Sequence, residues 1–322
     1  MTLGASGLQR SRALVDQSQS NRVTILRCLL LEFAEIANAS TKDWCPLMQK
    51  LDRVVWLESI SIRAYGVRIG LRANKTGVLK KFLPVLPPTW KPMRTQLVDR
   101  MYSVIVSRQG SRSSGRQSNV VYADENLIAD TSELEQAVDG FESDLQLYVA
   151  EMSPNRLFVH AGVVGWRGKA VVIPGKSFSG KSTLTSALVK AGATYYSDEY
   201  AVLDANGRVH HYARPLSMRE NGDMAKQTKY TVESLGGRAG YKPLPVALVV
   251  VSKYKPGATW RPRQLSAGEG ALELIANTVS ARREPKKVLS TLDLVVAGAP
   301  VLKGFRGDAS QLVDFIFETL SA

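Results

Sequence analysis

The residues best suited to chemistry are eight consecutive positions, Gly175-Lys176-Ser177-Phe178-Ser179-Gly180-Lys181-Ser182. They fit the pattern G-x-x-x-x-G-K-S, in which backbone N–H groups surround a chain of phosphates. Lys181 is expected to reach the β- and γ-phosphates, and the Ser182 hydroxyl is expected to bind Mg²⁺. Together with Thr183, these residues form the predicted binding site for ATP and Mg²⁺.

The flanking sequence predicts the elements that this phosphate-binding loop needs. Residues 168–174 form a short apolar run that predicts a buried strand. Residues 182–190 predict a helix with Leu184 and Leu188 on one face, and Gly192 is suited to end it. A strand, a glycine-containing loop and a helix N-terminus together direct N–H groups at an anion.

Two adjacent carboxylates, Asp198 and Glu199, follow this helix after a short predicted strand. Their position in the chain brings them back beside the mouth of the loop. Side chains of consecutive strand residues point to opposite sides. One carboxylate could therefore face the metal while the other faces the attacking nucleophile, if the strand ends there.

This combination resembles HPr kinase/phosphorylase and the wider HPr-kinase-related group, which share a fold with phosphoenolpyruvate carboxykinase. The resemblance rests on the loop, the short helix, the acid pair and His160 on a preceding strand, and it covers residues 156–219 best. It implies an α/β fold, with a P-loop kinase domain of the HPr kinase/PEP carboxykinase type preceded by a smaller α+β domain. The chain departs from the family in its Asp-Glu pair and its bulkier loop, and residues 214–220 replace a Glu-Ile-Arg-Gly signature.

The resemblance also implies roles for individual residues. Asp198 would accept the proton of the attacking hydroxyl, and Glu199 would hold Mg²⁺ directly or through water. His160 would orient Asp198 or the phosphate. Arg219 is a candidate cation for the transition state, and Glu220 is a candidate metal ligand.

The expected activity is transfer of the γ-phosphate of ATP to a serine or threonine hydroxyl of a protein or peptide. Two alternatives stay open: a kinase acting on a small molecule, and a non-catalytic ATP-binding regulatory module. The resemblance is compatible with a homo-oligomer.

Composition narrows the class of protein. The chain has 322 residues, 44% of them hydrophobic, and only two cysteines, Cys28 and Cys45. A low cysteine count is typical of a reducing compartment, and the sequence has neither a signal-peptide pattern nor an apolar run of about 20 residues. We therefore expect a cytoplasmic protein without a membrane partner.

The net charge of +13 is unevenly distributed. Between Arg63 and Arg116 there are twelve basic residues and one acid, whereas residues 117–155 contain nine acids and no base. No nucleic-acid motif accompanies this charge, so two solvated faces that attract each other are favoured over a nucleic-acid site. A basic groove for an acidic peptide or a phosphorylated acceptor is a third interpretation.

These patterns predict three regions. Residues 1–22 are expected to be disordered, residues 23–154 to form the α+β domain, and residues 155–322 to form the nucleotide-binding kinase domain. Within the second region, alternating apolar residues predict one long strand over 59–71.

Overall fold

A computed structural model describes residues 51, 53–95, 97–106, 118–176, 179–219 and 227–321. The predicted tail at 1–22, the beginning of the predicted α+β domain, Ser177, Phe178, Glu220 and the side chain of Arg219 lie outside these residues. The chain divides into two compact units, Met1–Val55 and Trp56–Ala322. All elements below belong to the second unit.

The elements in the first half of this unit are β1 Glu58–Ala64, β2 Val67–Ala73, α1 Leu79–Phe82, β3 Lys91–Met93, β4 Arg100–Val106, β5 Asn119–Ala123, β6 Asn126–Thr131 and α2 Leu134–Met152. Among the described residues, the strands form a six-stranded sheet in the order β3-β1-β2-β4-β5-β6. Neighbouring strands pair antiparallel except for β2 and β4, which run parallel.

The predicted single strand over 59–71 is wrong, because the chain turns back at Tyr65 and Gly66. Both residues have positive φ, 50° and 91° respectively. In this two-residue turn Ala64 pairs with Val67, so the inward-facing residues have even numbers on β1 and odd numbers on β2. The apolar pattern therefore changes phase at the turn, and the prediction of one strand overlooked that change.

Helix α2 covers one face of this sheet. The ring of Phe141 on α2 packs edge-on against Tyr102 on β4, with 4.8 Å between ring centroids, and against Phe82 at 5.2 Å. The same apolar cluster includes Phe158 and Tyr200 from the second half of the unit.

The elements in the second half are β7 Leu157–Trp166, β8 Lys169–Pro174, α3 Lys181–Lys190, β9 Thr194–Ser197, β10 Tyr200–Leu203, β11 Arg208–His210, β12 Leu216–Arg219, β13 Gln227–Tyr230, β14 Leu244–Tyr254, β15 Arg263–Gln264, α4 Ala267–Ile275, α5 Pro285–Gly298, β16 Val301–Arg306 and α6 Ala309–Ser321. In the part of the chain that the structure describes, they include an eight-stranded sheet in which β7 pairs with β8, β9 and β10. Strand β14 lies between β8 and β16 and is parallel to both.

The fold is thus mixed α/β, as predicted at that level. Helices α3 and α6 pack on one apolar cluster of the second sheet, and α4 and α5 pack on another. Among the described residues, no helix is both long enough and apolar enough to cross a membrane. The predicted boundary at residue 154 stays a prediction.

Candidate active site

The predicted phosphate-binding loop joins β8 to α3. Its start is fixed by a hydrogen bond from the Gly175 N–H to the His160 carbonyl on β7, at 3.2 Å. The Lys176 carbonyl then accepts two bonds, from the Ser179 N–H at 3.2 Å and from Lys181 Nζ at 3.0 Å. Lys176, Ser179 and Lys181 are therefore held close together, with the Lys181 ammonium on the Lys176 carbonyl.

Gly180 ends the loop in a left-handed conformation, with φ of 84°. Its carbonyl accepts the first helical bond of α3 from the Leu184 N–H at 3.2 Å, and a second bond from Arg306 Nη2 at 2.8 Å. Arg306 is only 2% exposed, and its Nη1 donates to the Gly307 carbonyl at 3.0 Å. A buried arginine at the end of β16 thus anchors the N-terminus of α3.

Replacing Gly180 with alanine tests this anchor, and Gly168→Ala is the matched control. Gly168 has a similar φ of 80°, but a Cβ there would meet no heavy atom within 4 Å. A Cβ at Gly180 would lie 2.4 Å from Arg306 Nη2. Both variants carry the left-handed strain of about 1–2 kcal/mol, and we expect Gly180→Ala to cost a further ~1 kcal/mol or more because Arg306 must move.

Urea unfolding at 25 °C measures the two free energies of unfolding. The anchoring role of Arg306 would be contradicted if Gly180→Ala and Gly168→Ala lowered the free energy of unfolding by amounts that agree within about 0.5 kcal/mol.

The acid pair occupies a break between β9 and β10, both of which pair with β7. At this break the Ser197 hydroxyl oxygen accepts bonds from the N–H groups of Glu199 at 3.1 Å and Tyr200 at 2.9 Å. The Glu199 carbonyl accepts a bond from the Ala161 N–H of β7 at 3.1 Å. The backbone therefore turns at the acid pair, and the two carboxylates lie at the bend.

Asp198 lies beside the N-terminus of α3. Burial raises the pKa of its carboxyl to about 7, against the lowering effects of a hydrogen bond with the Ser182 side chain and of the Lys181 charge. Its Oδ1 is buried and has no hydrogen-bond partner among the described residues. An unsatisfied buried oxygen is costly unless a ligand or proton completes it.

Gly162 on β7 gives this region its close packing. A Cβ on Gly162 would lie 2.3 Å from Thr185 Oγ1 and 3.9 Å from Asp198 Oδ1. Within the described part of the chain, Thr185 Oγ1 and Ser179 Oγ are also buried without partners. Several polar atoms around the loop are thus left for a polar ligand to satisfy.

Glu199 faces a different set of charges. Burial raises the pKa of its carboxyl, and the positive charge of Arg214 is the largest influence that lowers it. Arg214 itself is ion-paired with Glu142 of α2, which also lies 3.3 Å from the Lys229 ammonium on β13. The two acids therefore differ in surroundings, with Asp198 toward the loop and Glu199 toward the Arg214–Glu142 pair.

His160 contacts the acid pair through the backbone. Burial lowers the pKa of its imidazole, the nearby Lys181 charge lowers it further, and a hydrogen bond with the Glu199 carbonyl raises it. The ring lies 4.6 Å from that of Tyr200, its register partner on β10. The predicted role of His160 in orienting Asp198 or the phosphate stays a prediction.

Burial lowers the pKa of Lys181, whereas the charges of Asp198 and Glu199 raise it. A phosphate chain would supply the negative charge that a partly buried ammonium needs.

Beside the loop is a cleft of about 400 Å³, which we call the His160 cleft. It lies between α2, the loop and the segment that follows α4. Its lining residues are Leu147, His160, Lys176, Ala276, Asn277, Thr278 and Val279.

The residues near the loop fit a magnesium ion bound with a nucleotide. Among the described residues, no group of three or more His, Cys, Asp or Glu side chains could hold a metal alone. Mg²⁺ in nucleotide sites usually takes only one or two carboxylates and completes its shell with phosphates and water. The Ser182 hydroxyl, which is hydrogen-bonded with Asp198, and the carboxylate of the adjacent Glu199 match that donor set.

The structure thus brings together Gly175, Lys176, Ser179 to Thr183, His160 and the acid pair. Arg219 ends β12, and its predicted role is untested, as are those of Ser177, Phe178 and Glu220. Arg214 and Arg306 were missed as site residues. Arg214 lies in the segment compared with the family signature, whereas Arg306 has no motif around it.

The chain matches no family model, and the curated proteins compared with it include none that matches its sequence. The assignment of function therefore rests on the residues and geometry above.

Proposed function

We propose that this protein is an ATP-dependent kinase that transfers the γ-phosphate to a serine or threonine hydroxyl of a protein or peptide. The resemblance to the HPr-kinase-related group supports this reaction class. The loop and α3 would bind the phosphates of ATP, and the His160 cleft beside them would admit the acceptor.

The observation that carries the proposal is that Asp198 combines a raised pKa with a buried oxygen that has no partner among the described residues. A general base works best when its pKa lies near the working pH, and burial raises the pKa of Asp198 to about 7. Its unpartnered Oδ1 lies next to the N-terminus of the helix that begins with Lys181. A merely structural carboxylate at such a position would be expected to have its hydrogen bonds satisfied.

In the proposed step, the acceptor oxygen forms a bond to the γ-phosphorus. The bond from that phosphorus to the β–γ bridging oxygen breaks, and ADP leaves. The hydroxyl proton passes to the Asp198 carboxylate, which must therefore be ionised beforehand. Lys181 and the N–H groups at the start of α3 would neutralise the phosphate charge. Mg²⁺, when bound, adds positive charge there, and Ser182 and Glu199 would hold it.

Transfer of label from γ-labelled ATP and Mg²⁺ into a size-fractionated lysate of the source organism tests the proposal. An Asp198→Asn protein runs in parallel. Label in a protein or peptide fraction that the variant loses would support the proposal. Label that is confined to the small-molecule fraction would show that the acceptor is a small molecule rather than a protein or peptide. ATP binding without variant-dependent label in any fraction would favour a regulatory ATP-binding module.

A further inference from the structure

The lining of the His160 cleft points to the charge of the acceptor. Of the seven described residues that line it, Lys176 is the only cation apart from the imidazole of His160, and none of the seven is Asp or Glu. In the described part of the chain, the Lys176 ammonium forms no salt bridge. A cleft with a free cation and no acid favours an anionic ligand.

The position of Lys176 distinguishes it from an ordinary solvated lysine. It is the second residue of the phosphate-binding loop, and its carbonyl is held by Lys181 Nζ and the Ser179 N–H. Its backbone is thus fixed beside Lys181, the residue that is predicted to reach the β- and γ-phosphates. A ligand anion that pairs with Lys176 would lie close to the reacting hydroxyl.

A second polar group of the cleft also lacks a partner. Asn277 Nδ2 donates to the Glu273 carbonyl at 2.8 Å, which fixes the orientation of the amide. Its Oδ1 is buried without a partner among the described residues. The Asn277 carbonyl accepts the His160 N–H at 2.7 Å, so this residue is tied to β7. The amide oxygen would accept a hydrogen bond from an O–H or N–H of the ligand.

We propose that the acceptor carries a carboxylate or phosphate close to its reacting hydroxyl, and that Lys176 binds this anion in the His160 cleft. The inference rests on the proposed kinase function and adds the chemistry by which the acceptor is selected. The anion is either part of a free small hydroxy compound or a group next to the hydroxyl of a peptide. The apolar side chains of Leu147 and Val279 would contact the rest of the acceptor.

Charge variants of Lys176 test the contact. Lys176→Gln should raise the KM for the acceptor about tenfold, and Lys176→Glu should raise it further, because a charge-assisted bond is lost and then replaced by repulsion. The KM for ATP should rise by a smaller factor than the KM for the acceptor, because the loop is expected to bind the phosphates of ATP through backbone N–H groups, which these substitutions keep. The same two substitutions at Lys190, in the last turn of α3, are the controls and should leave both values unchanged.

Chemical treatment of the acceptor tests its charge directly. The fraction that accepts label is treated with carbodiimide and methylamine, which converts carboxylates to neutral amides, or with alkaline phosphatase, which removes phosphates. One of these treatments should reduce acceptor activity about tenfold or more relative to a mock treatment. Retention on an ultrafiltration membrane then separates a peptide source from a free hydroxy compound.

Full acceptor activity after both treatments would overturn the inference and leave the kinase proposal standing. So would an acceptor KM that is unchanged in Lys176→Glu, or a Lys176→Gln protein that loses affinity for ATP alone. If the wild-type protein labels no fraction at all, the kinase proposal fails and the inference fails with it.

Discussion

The Asp198→Asn protein is expected to transfer phosphate at least about 100-fold more slowly than the wild type, because a general base usually contributes a factor of that size. ATP binding should stay within a few-fold, because the asparagine keeps the shape of the side chain. In the wild-type protein, the raised pKa of about 7 implies that kcat/KM for ATP, which reports the free enzyme, rises tenfold per pH unit below about 7 and levels off above it. Transfer by the variant at the wild-type rate would refute the assignment.

The same variant should also be more stable than the wild type. Because the pKa of Asp198 rises from 3.8 to about 7 on folding, the folded protein binds more protons than the unfolded chain between these pH values. The contribution of Asp198 to stability therefore falls as pH rises through this window and stays low above it. At pH 8 we expect Asp198→Asn to gain about 1–3 kcal/mol in unfolding free energy, since each pKa unit is worth about 1.4 kcal/mol.

Asp204→Asn is a control whose expected change in unfolding free energy has the opposite sign. Burial acts to raise the pKa of Asp204, but hydrogen bonds with His210 and with the N–H groups of Arg208 and Asn206 outweigh it, so the pKa is lowered. This carboxylate stabilises the folded protein above the pKa of the unfolded state. Its asparagine variant should therefore be less stable at neutral pH and fully active. A loss of stability in Asp198→Asn comparable with that in Asp204→Asn would contradict the account of Asp198.

Lys181→Ala is expected to reduce transfer by about 1,000-fold, because it removes the cation that is expected to contact the transferring phosphoryl group. It also removes the 3.0 Å bond to the Lys176 carbonyl. Steady-state kinetics with varied ATP separates the loss in kcat from the loss in KM. Unchanged values of both would exclude Lys181 from a nucleotide site.

Lys169→Ala is the matched control for this lysine. Lys169 begins β8, the strand that leads into the loop, and its Nζ also donates to a carbonyl, that of Leu320 at 3.0 Å. Its removal should lower stability slightly, by about 1 kcal/mol, and leave transfer intact. A similar loss of transfer in both variants would mean that Lys181 acts through the fold rather than on the phosphates.

The local part of the site could be predicted from the sequence. The expected strand over 168–174 and helix over 182–190 correspond to β8 and α3 within one residue at their starts. Such agreement arises because a buried strand, a glycine-containing loop and an apolar helix face each leave a periodic pattern. The position of the acid pair followed from the short connection between α3 and β9.

Contacts between distant segments could not be predicted in this way. Arg306 and Gly180 are 126 positions apart, and a lone arginine after an apolar strand is compatible with a solvated surface. The Arg214–Glu142 pair likewise joins residues 72 positions apart. Neither pairing leaves a pattern in the neighbouring sequence, because only the folded sheet order brings the partners together.

The distance along the chain between Gly180 and Arg306 has a consequence for biosynthesis. Domains fold as units while the N-terminal part of a chain emerges first from the ribosome. The loop and α3 emerge well before β16, whose last residue holds the Gly180 carbonyl. A partly synthesised chain therefore carries the phosphate-binding loop without its arginine anchor, and the loop acquires that anchor only when β16 joins the sheet beside β14.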